Sequence, residues 1–149
     1  MVPKMNMRTG ILLLVLFCLV FQPTGQPLPL VLQALPAAAA SPQLTLVTAA
    51  ICESVKELSP QYPAIVFSIV AGKVSCFSFF DPVPKKTFIY HNWYHRNNLT
   101  TKIKLTLKPS SWSTFSTIQL RESDIGPWRV EIADQKGKVI KVLRFSVTE

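Results

Sequence analysis

Glycine is scarce in this chain, with five in 149 residues, and only Gly72, Gly126 and Gly137 lie after position 40. No Gly-x-Ser-x-Gly elbow can be built from them, so nucleophilic catalysis of the hydrolase kind has no support. Histidine is scarcer still: His91 and His95 are the only two. Acidic residues number eight against sixteen basic ones, which leaves few carboxylates for paired acid–base work. Glu53 with Glu57 and Glu122 with Asp124 are the close pairs, and the second reads as a polar turn before Gly126. Of three cysteines, Cys52 and Cys76 follow the N-terminal segment. No long amphipathic helical pattern and no internal repeat occur. The best helical stretch is the short one from Ile51 to Leu58.

The N-terminus has a directional pattern. Lys4 and Arg8 precede an apolar run from Ile11 to Phe21, and a second apolar patch ends in Ala37-Ala38-Ala39-Ala40. A basic start, a short apolar centre and a small-residue run predict a secretory signal peptide over residues 1–40, cleaved after Ala39 or Ala40. The apolar run spans about 16 Å as a helix, against a bilayer core of about 30 Å. Pro29, Gln33 and Pro36 interrupt the second patch, so it does not extend the first into a span. The alternative is an uncleaved segment that anchors the chain to a membrane. Cys18 follows Phe17 inside the apolar run, which argues against lipidation there. The expected location is periplasmic or extracellular, with no membrane span after processing.

Residues 41–149 suit one domain. Fourteen basic and all eight acidic residues lie there, a net charge of +6 that favours acidic partners. Export makes nucleic acid a poor match and an anionic glycan or an envelope protein a better one. Cys52 and Cys76 suit a disulfide in an oxidising compartment. Two buried thiols on neighbouring strands are the other reading.

Short β-type segments fill this region. They cover 44–55, Ala64 to Val70, Val74 to Phe80 and Thr87 to Arg96, with breaks at Ser59–Pro63 and Asp81–Pro84. Asn97-Asn98 reads as a turn. Ile103, Leu105 and Leu107 then alternate with Lys102, Lys104, Thr106 and Lys108, the mark of a strand with one buried and one wet face. Residues 111–120 form a further segment. Trp128, Val130 and Ile132 alternate with Arg129, Glu131 and Ala133. Asp134-Gln135-Lys136-Gly137 is a hairpin connection with Gly137 in a left-handed position, and Val139 to Val147 closes the domain. Seven to eight short strands at regular spacing predict an antiparallel β-sandwich of immunoglobulin-like type.

His91-Asn92-Trp93-Tyr94-His95 has the spacing of a zinc-protease motif, but Asn92 stands where that motif has its glutamate. On a strand the two histidines stand about 13 Å apart, too far to share one zinc. No metal and no cofactor are expected. His91, Trp93, Trp128, Val130 and Phe145 are read as core. The binding candidates are aromatic and basic. Trp112 lies in a serine-rich stretch and, with Tyr94 and Phe115, offers a ring for stacking on sugars or flat partners. Lys102, Lys104 and Lys108, with Arg96 close by, form a basic face for an anionic polymer. Lysines on an exposed strand also block edge-to-edge pairing, which alone would account for them.

Several motifs in order resemble a family of secreted or membrane-tethered bacterial domains, the domain of unknown function 2914. They are Ala49-Ala50-Ile51-Cys52, Val74 with Cys76-Phe77, and His91-x-Trp93-Tyr94-His95. Trp112-x-Thr114-Phe115-Ser116, Gly126-x-Trp128-Arg129-Val130, Asp134, Gly137 and Phe145 follow. The resemblance runs from about 47 to 147 and implies a β-sandwich, an envelope location and no established activity. It also implies a basic residue near Ser113, an indole near Phe115 and a lysine near Thr117, where this chain has neutral side chains. The leading expectation is therefore a non-catalytic binding or structural module of the bacterial envelope. The rivals are a small enzyme using His91 and a carboxylate, and an assembly subunit that pairs through an edge strand.

Overall fold

The structure, a computed structural model, describes residues 41–149. The expected signal peptide, with Cys18 and the alanine run up to Ala40, lies outside the described residues.

The described residues form nine strands: β1 (Leu46–Lys56), β2 (Ser59–Pro63), β3 (Val66–Ser68), β4 (Lys73–Phe80), β5 (Thr87–His95), β6 (Asn98–Leu107), β7 (Trp112–Gln119), β8 (Gly126–Ala133) and β9 (Val139–Thr148). They make two sheets. One is four-stranded, in the order β2-β1-β4-β7, and the other five-stranded, in the order β3-β9-β8-β5-β6. Neighbours pair antiparallel except β3, which runs parallel to β9. Two short 3₁₀ turns, Ile69–Ala71 and Glu122–Asp124, interrupt the strands.

Alternation decides which side chains meet between the sheets. Ile89, His91 and Trp93 of β5 point inward, and Ile103, Leu105 and Leu107 of β6 lie beside them. From β8 and β9 come Trp128, Val130, Ile132, Phe145 and Val147; from the other sheet come Ile51, Val74, Cys76 and Phe80. Phe145 is a hub. Its ring meets Phe67 and Trp93 edge-on, at 5.8 and 6.1 Å, and stacks on Trp128 at 6.0 Å. Such pairs add to the stabilisation their area burial gives.

The segment Ser59–Pro63, expected to break the chain, is instead an edge strand paired with β1. Proline is tolerated there because the outer edge needs no ladder donor. A two-residue turn, Glu57-Leu58 with both φ positive (48° and 55°), leads into it. The stretch Ile51–Leu58 is therefore strand and turn, with no helix. The β5–β6 turn is also displaced from expectation by one residue. It consists of Arg96 and Asn97, with φ of 46° and 69°, while Asn98 already belongs to β6. Gly137 takes the left-handed position in the β8–β9 connection, at φ 84°. There the Asp134 carboxylate accepts from the Lys136 and Lys138 amides.

Candidate functional site

His91 is fully enclosed. Its Nε2 lies 2.7 Å from Ser78 Oγ and its Nδ1 lies 2.8 Å from Ser116 Oγ, which also accepts the Trp93 indole N–H at 3.1 Å. These contacts join β5 to β4 and β7 across the sandwich. Burial lowers the His91 pKa to about 4, so the ring is neutral at physiological pH. A serine hydroxyl beside an imidazole resembles part of a catalytic array, yet this pair has no route to solvent. The arrangement satisfies polar groups inside the core. His95 sits apart, at the rim of the core. Its ring stacks on Trp128 at 4.6 Å, and its Nε2 lies 3.3 Å from the Ile125 carbonyl.

Cys52 and Cys76 are both free and both buried, which corrects the disulfide expectation. They do lie on neighbouring strands. Across β1 and β4, however, Cys76 stands opposite Ile51, and Cys52 stands opposite Ser75. A one-residue offset puts two side chains on opposite faces of a sheet, which no disulfide geometry can bridge. Cys76 enters the core, whereas the Cys52 thiol leans toward the Ser75 carbonyl at 3.6 Å. Burial pushes both thiols up, away from the reactive thiolate.

The outer face of the five-stranded sheet gathers aromatic rings and cations. Phe88, Tyr90 and Tyr94 leave β5 on the side away from the core, and Lys102 and Lys104 leave β6 on the same side. The Lys102 ammonium lies 4.0 Å from the Tyr90 ring centre and that of Lys104 lies 3.9 Å from Phe88. From β8, the Arg129 guanidinium covers Tyr94 at 3.9 Å. Phe88 and Tyr90 also meet edge-on at 5.5 Å. The alternation that buries Ile89, His91 and Trp93 necessarily sends these three rings outward. That signal was present in the sequence, but Phe88, Tyr90 and Arg129 were not singled out by it.

The other expected binding residues go elsewhere. Trp112 pairs with Phe80 across β4 and β7 and is half-buried against the core, with the Lys108 ammonium 5.2 Å from its ring. Lys108 thus accompanies Trp112 at the β6–β7 connection and leaves the Lys102–Lys104 face. Phe115 is 42% exposed on the outer face of the four-stranded sheet, opposite Phe77. Trp112 and Phe115 therefore do not join the lysine face; Tyr94, Lys102 and Lys104 share it, and Arg96 lies at its end.

Arg96 belongs to the end of that face. A depression of about 210 Å³ is lined there by Tyr94, Arg96, Asn97, Pro127, Trp128, Arg129 and Arg144. Arg96 Nη2 donates to the Ile125 carbonyl at 3.0 Å. Arg129 donates from Nε to Glu131 at 3.0 Å and from Nη1 to the Asn97 side-chain carbonyl. Arg129 and Arg144 are direct cross-strand partners between β8 and β9.

Among the described residues no helix is long and apolar enough to cross a membrane. An immunoglobulin-like protein from Pseudomonas aeruginosa, known from its crystal structure, superposes with a TM-score of 0.50 at 10% identity. The match covers 74% of this chain and all of that one, and it shows the fold to be immunoglobulin-like. No curated protein matches the chain. The motifs Ala49–Cys52 and Val74–Phe77 lie before residue 86, where the family match begins. Residues 86–147, from the approach to β5 almost to the end of β9, match the family described as a protein of unknown function, DUF2914, which is the family its sequence motifs resemble.

Proposed function

We propose that this chain is an exported, non-catalytic binding module of the bacterial envelope, and that the outer face of its five-stranded sheet contacts an anionic glycan. The observation that carries this reading is the set of three rings, Phe88, Tyr90 and Tyr94, each held against a cation on one sheet face. Rings offer apolar surface to sugar C–H groups, and the neighbouring ammonium and guanidinium groups attract carboxylate, phosphate or sulfate. Holding the long cationic side chains against rings also reduces the rotamer freedom lost on binding. Strand positions keep the rings at a fixed spacing, as a repeating polymer requires. The enclosure of His91 removes the one histidine that sits beside a serine hydroxyl from any surface chemistry.

The test is binding of heparin, a sulfated polysaccharide, at low and at high ionic strength, with dextran as the uncharged comparison. Heparin should bind and dextran should not. The affinity should fall steeply with salt, because the attracting charges face water. Replacing Lys102 and Lys104 together by alanine should weaken it by about tenfold, the equivalent of about 1.4 kcal/mol. Heparin binding that ignores both salt and this double substitution would exclude the proposed face.

A further inference from the structure

We infer that the depression between Arg96, Arg129 and Arg144 is an oxyanion subsite, shaped for the phosphate or sulfate ester of a glycan. The glycan part of this assignment rests on the function proposed above; the anion site itself stands on separate observations.

The first is an excess of positive charge. Three guanidinium groups line one depression and no acidic side chain lines it. Glu131 engages Arg129 alone, and among the described residues Arg144 has no ion-pair partner. Arg129 and Arg144 stand directly opposite one another on adjacent strands, a placement that repels when both carry the same charge. An anion between them reverses the sign of that interaction.

The second is the backbone beneath Arg96. A two-residue hairpin turn with both φ positive favours asparagine, aspartate or glycine. Asn97 fits that preference. Arg96, at φ 46°, does not, and its Cβ is crowded in that conformation. Across from it, Gly126 adopts φ +127°, and a Cβ there would stand 3.2 Å from Arg96 Nε. The missing side chain lets the guanidinium lie against the backbone and donate to the Ile125 carbonyl. Two unfavourable local choices thus converge on holding one guanidinium in one place.

The third is the direction of approach. The arginines come from the β5–β6 turn, from β8 and from β9. Arg129 is further fixed by Tyr94, Asn97 and Glu131. Guanidinium forks arriving from three elements match a tetrahedral ester with three peripheral oxygens better than a planar carboxylate with two. The space of about 210 Å³ holds such an ester and the adjoining edge of a sugar ring.

The experiment follows the arginine Nε–H signals of the purified protein by NMR while inorganic phosphate is added, and then measures heparin affinity for the same variants. Phosphate should shift the signals of Arg96, Arg129 and Arg144 saturably and leave Arg121 unmoved. Arg144→Ala should weaken both probes by about tenfold. Arg96→Asn should weaken them similarly without lowering the melting temperature, since asparagine suits the turn. Lys136→Ala, in the β8–β9 connection, should change neither. Arginine signals indifferent to phosphate would overturn the subsite. So would heparin affinities equal to the parent's in both arginine variants, an outcome that leaves the glycan reading intact. Saturable phosphate binding at these arginines with no heparin binding would keep the subsite and discard the glycan.

Discussion

His91 shows what a single residue contributes. It is the largest polar side chain among the fully buried ones, and both ring nitrogens have a serine partner. Its folded pKa of about 4 lies below the ordinary value of about 6.5. Between those values the unfolded chain binds the proton and the folded chain does not. The contribution to stability is therefore complete above about pH 6.5 and is lost as the pH falls toward 4, in total about 3 kcal/mol. Urea unfolding at pH 7 and at pH 4.5 measures it. His91→Gln should flatten this part of the pH profile while lowering the stability at pH 7. An unchanged slope in the variant would assign the acid sensitivity to other groups. The burial of His91 beside Trp93 could be read from alternation. Its partners could not, because Ser78 and Ser116 are two of many serines on strands and only the stacking of sheets selects them.

At the scale of elements, the strands most readily read are those with one wet face. β6 and β8 alternate plainly, so the inward residues Ile103, Leu105, Leu107, Trp128, Val130 and Ile132 follow from the sequence. The edge strand β2 was hidden by Pro60 and Pro63, which signal a break when read locally but are compatible with an outer edge. The β5–β6 turn was misplaced by one residue because Asn98 is a better turn former than Arg96 on propensity alone. Register against β6 decides otherwise, since His95 pairs with Asn98. That small shift places Arg96 in the left-handed region and over Gly126. Gly126→Ala should consequently destabilise the domain by about 2 kcal/mol, through the strained φ and the approach to Arg96. Thermal unfolding of the variant checks this, and an unchanged midpoint would show that the segment relaxes freely.

Across the whole molecule, the division of strands between sheets was the least legible property. Alternation tells in from out on each strand but says nothing about which strands share a sheet. Hence Trp112 and Phe115, offered as stacking rings, and Lys108, placed on the lysine face by alternation, are distributed over other parts of the sandwich. The cysteines illustrate the same limit. Their presence on adjacent strands was legible, but their opposite orientation depends on a one-residue register. Neither thiol should react with a membrane-impermeant alkylating reagent in the folded protein. Both should react after denaturation without reductant, as mass spectrometry would show. A denatured, unreduced sample with no reactive thiol would restore the covalent link.

A sandwich closed without a sulfur bridge has a further consequence for its making. Its final shape needs no oxidant and no isomerase that shuffles cystines, so the chain can mature equally well in a reducing cytosol or beyond the membrane. The redox state of the compartment in which it folds then has no say in whether that shape is reached.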